Sequence, residues 1–234
     1  MKAQAIQKWL RSLASPDIAE HSLRYFKTGK GEYGEGDMFL GIRMPVLRGQ
    51  LKTFGDTPLL EIENLLHSKF HEERLFALLL LVLQMARVAE AEQKRIFDLY
   101  LANTQWINNW DLVDCSAPQV VGAYLENKSR KCLYSLVASE SLWERRIAVL
   151  ACFHFIRNTD FDDFLNFAET LLKDKEDLIH KAVGWMLREV GKRDPSVELT
   201  FLDKHYRTMP RTMLRYAIEK FPEQLRKAFL NGER

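Results

Sequence analysis

The chain has 234 residues, 47% of them hydrophobic, with 34 lysines and arginines against 32 aspartates and glutamates. That length and composition suit a globular protein with a sizeable core, and the net charge of +2 excludes a uniformly cationic surface, so any polyanion must be met by a local concentration of charge. Cys115, Cys132 and Cys152 form no CxxC pair and lie in apolar helical patterns, which excludes a zinc knot, predicts no disulfide and points to a reduced, cytoplasmic setting.

Apolar residues recur at spacings of three and four almost throughout, and strand-like alternation is nearly absent, which predicts an all-α chain. The first helices are predicted over 3–14 and 16–27, and the opening MKAQAIQKWLRSLA carries no apolar signal core. The next stretch contains GKGEYG at 29 to 34. Although formally GxGxxG, it follows a helix instead of a strand, and Glu32, Glu35 and Asp37 would repel phosphate. It reads as a glycine-rich loop or short β-hairpin over 28–37, with Lys27, Lys30 and Tyr33 as contacts for a partner.

Further helices are predicted over 44–54, 57–66, 70–87 and 89–103. HSKFH holds His67 and His71 four apart but lacks the intervening glutamate of a zinc-protease helix, so capping and surface roles are expected and no metal site. The most apolar run, LFALLLLVLQMA at 75–86, is too short to span a bilayer. A helix over 108–126 contains WINNWDLVDCSAP, in which Trp110 and Asp114 share a face; Asp111 has no evident role beyond capping or bracing. The remaining helices are predicted over 129–138, 141–157, 160–173, 176–192, 195–206 and 210–229. Prolines at 16, 58, 195 and 210 stand near helix starts. His154 and His180 read as core or surface histidines. No long linker divides the chain, so one domain over 1–234 is expected.

Many helices with short connections suggest helical repeats of roughly 35 to 45 residues. Arg74, Trp110, Arg146, Lys181 and Arg215 follow one another at separations of 36, 36, 35 and 34 residues. One turn later stand Leu78, Asp114, Leu150, Trp185 and Glu219. Equivalent helices lining the inner wall of a curved α-α superhelix would bring Trp110, Asp114, Arg146, Lys181, Trp185 and Arg215 onto one concave basic groove.

The pieces RYFKTGKGEYGEGDMFLGIRMPVLR, NNWDLVDCSAP, WERRIAVL and HKAVGWMLREVGKRDP resemble the DNA alkylation repair family of AlkD-like proteins, HEAT-like helical solenoids that include DNA glycosylases. The resemblance implies a catalytic set of Asp114, Trp110, Trp185 and Arg146, with Tyr25 near the same cleft. It implies double-stranded DNA carrying N3- or N7-alkylated purines as substrate, no cofactor, and a monomer working without metal or membrane. Arg146, Lys181, Arg188, Lys192, Arg211 and Arg215 would contact phosphates flanking the lesion. The DNA backbone would be held while the damaged base stays stacked, so no deep base pocket is expected. The glycine-rich segment resembles a branch with an added hairpin, for which non-catalytic binding of branched or distorted DNA is the alternative. A helical-repeat scaffold for proteins is a third reading.

The residue types suit the chemistry. Loss of a cationic base leaves an oxocarbenium-like sugar, which a fixed carboxylate stabilises while orienting water. At roughly 4 Å and an effective dielectric near 20, such a charge pair is worth about 4 kcal/mol. Part of that is also felt by the cationic ground state, which reduces the gain in rate. Trp110 and Trp185 would offer π faces to the cation and exclude water.

Overall fold

The computed structural model describes all 234 residues as an all-helical chain. Fourteen α-helices are joined mostly by short turns, with longer connections over 26–43 and 115–130, and the sole β pairing is an isolated parallel bridge between Met38 and Phe70. The chain divides into two compact units, Met1–Tyr124 and Leu125–Arg234. No helix is long and apolar enough to cross a membrane.

The first unit holds α1 (Ala3–Ser12), α2 (Pro16–Tyr25), α3 (Met44–Gln50), α4 (Leu59–Leu66), α5 (His71–Met85), α6 (Glu90–Ala102) and α7 (Trp110–Asp114). Its centre is α5, which is apolar on all sides from Leu75 to Leu81 and is covered by α1, α4, α6, α7 and the π-helical turn Pro118–Gly122. A helix hydrophobic all round belongs in a core. The helix expected over 108–126 is therefore not continuous. Pro118 has no N–H and its ring crowds the carbonyl of Asp114, so α7 ends there and the chain resumes as a π turn.

The second unit holds α8 (Lys131–Val137), α9 (Leu142–Arg157), α10 (Asp162–Thr170), α11 (Asp177–Gly191), α12 (Pro195–His205), α13 (Arg211–Ala217) and α14 (Glu223–Asn231). Here α9 is central, packed by α8, α10 and α11, and α11 in turn packs on α12 and α13. Asp194 caps α12 by accepting from the amides of Ser196 and Val197. The single helix expected over 210–229 is two, broken at Phe221-Pro222, where a proline cannot continue the hydrogen-bond ladder.

Arg74, Trp110, Arg146, Lys181 and Arg215 fall on α5, α7, α9, α11 and α13, every second helix. The expectation that all share an open face needs correction. On the two central helices Arg74, Leu78, Arg146 and Leu150 are buried, because neighbours cover α5 and α9 on every side. On α7, α11 and α13 the equivalent residues Trp110, Asp114, Lys181, Trp185 and Arg215, and Glu219 in the 3-10 turn after α13, are half-buried or exposed.

Candidate nucleic-acid interface

The chain enters α7 in extended conformation at Asn109, whose side-chain oxygen accepts from the Trp110 amide at 2.8 Å. Leu112 and Val113 then go into the core, while Trp110 and Asp114, one turn apart, stay partly open to solvent. Trp110 lies on the Phe26 ring (centroids 5.4 Å apart, 25° between planes) and meets Tyr25 edge-on at 5.9 Å. Tyr25 is 58% exposed. The first unit thus presents two aromatic rings and a carboxylate together at its surface.

Beneath them is a buried polar network. His71, 1% exposed at the start of α5, faces Asp111 Oδ2 across 2.8 Å from Nε2 and Asp37 Oδ2 across 3.3 Å from Nδ1. Only the doubly protonated ring donates to both. Burial pushes the His71 pKa down, but the Asp111 charge and the hydrogen bonds to Asp111 and Asp37 outweigh it and raise the pKa to about 9. Asp37 also accepts from Arg74 Nη2 at 2.6 Å and Asn109 Nδ2 at 3.2 Å. Burial opposes its ionisation, yet His71, Arg74 and Asn109 together hold its pKa below the usual value. Phe39 and Phe26 flank the His71 ring at 4.6 and 5.0 Å.

The glycine-rich segment is a succession of turns ending in Asp37, so it is a loop and not a hairpin. Its amides are already occupied: Gly29 donates to Glu32 and Gly31 to Glu35, at 2.8 and 2.7 Å. Those carboxylates stand where a phosphate would have to bind. Lys27 and Lys30 are exposed, Tyr33 is half-buried, and Lys27 adopts φ +51°, a left-handed conformation. Past the loop, the buried Glu72 carboxylate accepts from the amides of Leu40, Gly41 and Ile42. Gly41 has φ +78°, and a Cβ there would lie 2.2 Å from the Ser15 carbonyl.

In the second unit, Trp185 is half-buried against Phe153 at 5.8 Å and donates to Glu189 at 3.3 Å. Arg146 is 4% exposed and donates to the Leu178 carbonyl at 2.5 Å. That burial corrects the expectation of a phosphate-facing Arg146, since its guanidinium braces α9 to the start of α11. Arg188 is likewise mostly buried, donating to Glu219 and the Tyr216 carbonyl. Lys181 pairs with Asp177 and Lys192 with Glu189, both with partly exposed side chains, while Arg211 and Arg215 are exposed.

The model of a family described as DNA alkylation repair enzyme matches residues 6–221. The chain belongs to that family. Two solved structures share the fold of this DNA alkylation repair family member. A predicted DNA alkylation repair enzyme from Enterococcus faecalis is 20% identical, with a TM-score of 0.70 over 90% of this chain and 97% of its own. AlkD2 from Streptococcus mutans is 15% identical, with a TM-score of 0.55 over 88% of this chain and 98% of its own. No curated protein matches the sequence.

Several residues that shape the site of this family member escape a reading by spacing. His71, expected as a cap or surface histidine, is a buried cation between carboxylates from residues 34 and 40 positions away. Asp111, without an assigned role, is one of them. Asn109 and Phe26 carried no signal either, because their partners are remote in sequence. His67, four residues before His71, belongs to a different network through Asn103 at 2.6 Å.

Proposed function

We infer that this DNA alkylation repair family member is a DNA glycosylase that releases cationic N3- or N7-alkylated purines from double-stranded DNA. The observation that carries the reading is the surface grouping of Tyr25, Trp110 and Asp114, with both aromatics in contact and the carboxylate one turn from the indole. The glycosidic bond breaks with its electron pair passing to the alkylated purine, which departs neutral. The sugar left behind carries positive charge, which Asp114 stabilises while Trp110 offers its π face. Water adds to the anomeric carbon and gives up its proton, to Asp114 or to solvent.

In the second unit, Trp185, a half-buried ring packed on Phe153, is assigned to DNA contact. Lys181, Lys192, Arg211 and Arg215 supply phosphate contacts, which confer affinity without sequence preference. Arg146 and Arg188 are assigned bracing roles, because their guanidinium groups are buried on protein carbonyls and carboxylates. Purified protein is expected to release alkylated purines from methylated duplex DNA, and Asp114→Asn to bind the same duplex without releasing them. Equal release by the variant would remove Asp114 from the chemistry.

The exposed Lys27, Lys30 and Tyr25 favour a second reading, binding of branched or distorted DNA through the glycine-rich loop. It predicts tighter binding to a four-way junction than to linear duplex at matched salt, weakened by Lys27→Ala/Lys30→Ala. Equal affinity for the two DNAs would refute it.

A further inference from the structure

We propose that His71 is a positioning residue for the DNA-facing pair Trp110 and Asp114, tying Asp111 in the first turn of α7 to Asp37 at the end of the glycine-rich loop. The proposal rests on the glycosylase reading only for what the pair does, since the tie itself is geometric. Asp111 Oδ2 bonds His71, while Asp111 Oδ1 is buried and bonds no protein group. His71 is thus the one hydrogen-bond donor holding that carboxylate. At its other nitrogen the ring meets Asp37, which also takes Asn109, the residue that caps α7 at Trp110. Both ends of the tie therefore reach the same helix start.

A second path runs through the rings. The His71 cation lies between Phe39 and Phe26, and Trp110 lies on the same Phe26. A cation against aromatic faces is favoured when desolvated, so the charge on His71 also steadies the ring on which Trp110 rests. The charges around His71 are Asp37 from the loop, Asp111 from α7 and Arg74 one turn along α5. Arg74 opposes the imidazolium and the two carboxylates favour it. The imidazolium also compensates the charge of Asp111, which lies three residues from Asp114 on the same short helix.

The consequence is that Trp110 reports the protonation of His71, to which it is linked through Phe26 and the first turn of α7. The test uses full-length protein labelled with nitrogen-15, with the Trp110 indole N–H resonance assigned by Trp110→Phe. In the wild type this resonance is expected to move with a midpoint near the His71 value of about 9. In Asp111→Asn the midpoint falls by about one pH unit or more, because a charge that favours the imidazolium is gone. In His71→Phe, which keeps an aromatic ring between Phe26 and Phe39, the transition disappears. In single-turnover base release near neutral pH, Asp111→Asn is expected to be slower by about tenfold or more, with duplex affinity nearly unchanged, as misplacement of a reacting group produces.

A Trp110 resonance that stays flat as pH rises past 9, or the same transition in His71→Phe, would overturn the proposal. So would an unchanged midpoint in Asp111→Asn, which also serves if His71→Phe fails to fold. Wild-type protein that releases no base defeats the glycosylase reading alone, because the resonance arms still decide whether His71 positions Trp110.

Discussion

Replacing Glu72 by glutamine tests how the segment next to the glycine-rich loop is fixed. Glu72 is 3% exposed in the first turn of α5, where a negative charge also suits the helix dipole. Its Oε1 accepts from Gly41 at 2.7 Å and Ile42 at 3.2 Å, and its Oε2 from Leu40 at 2.8 Å. Glutamine keeps one acceptor oxygen, so its amide nitrogen must face one or two backbone N–H groups, donor against donor. A hydrogen bond to a charged group contributes roughly 1.5–3 kcal/mol, and an orphaned buried donor costs a comparable amount. One bond lost, the others weakened to neutral strength and a donor opposed sum to about 2–4 kcal/mol. Hydrogen exchange at the Leu40, Gly41 and Ile42 amides should therefore accelerate by roughly 30- to 1,000-fold at unchanged pH. The buried α9 amides of Ile147 and Val149, in the other unit, serve as the internal control. Exchange at the three amides within about twofold of wild type, or an acceleration shared equally by α9, would refute the reasoning.

Other consequences follow from single positions. Gly41→Ala should destabilise the first unit by about 2–4 kcal/mol in urea unfolding, because the residue needs a positive φ and its new methyl would meet the Ser15 carbonyl. Glu198 is buried, with its pKa pushed up by desolvation to about 8 against a modest opposing pull from Arg188. The folded state then holds a proton that the unfolded chain has released, so between the unfolded value near 4.5 and about 8 the stability of the second unit falls as pH rises. Glu198→Gln should remove that slope and be more stabilising above pH 8 than near pH 5, as pH-resolved unfolding would show. Lys181→Ala/Arg215→Ala should weaken duplex binding and reduce the slope of log affinity against log salt by about 1–2; an unchanged slope would take both residues off the phosphate path.

The helical class and most helix positions are legible in the sequence because three-four spacing and first-turn prolines are local signals. The two breaks that differ, at Pro118 and Pro222, come from prolines set inside continuous apolar spacing, where the pattern outvotes the missing N–H. The repeat spacing finds the alternate helices but not which of them are central. Arg74 and Arg146 therefore look equivalent to Lys181 and Arg215 until burial separates them. Trp110 and Asp114 are conspicuous as polar and aromatic intrusions one turn apart. His71, Asp37 and Asp111 are not, since each is an ordinary loop or helix-start residue until the chain brings them within hydrogen-bond reach.

The central claim is that Asp114 performs base excision on alkylated DNA. Single-turnover release of 3-methyladenine and 7-methylguanine from methylated duplex, wild type beside Asp114→Asn, tests it most directly. A carboxylate charge worth about 4 kcal/mol at most, part of it already felt in the ground state, predicts release slowed by roughly 100- to 1,000-fold, with duplex affinity retained. No release by wild type above the spontaneous rate, or equal release by the two proteins, would contradict the account.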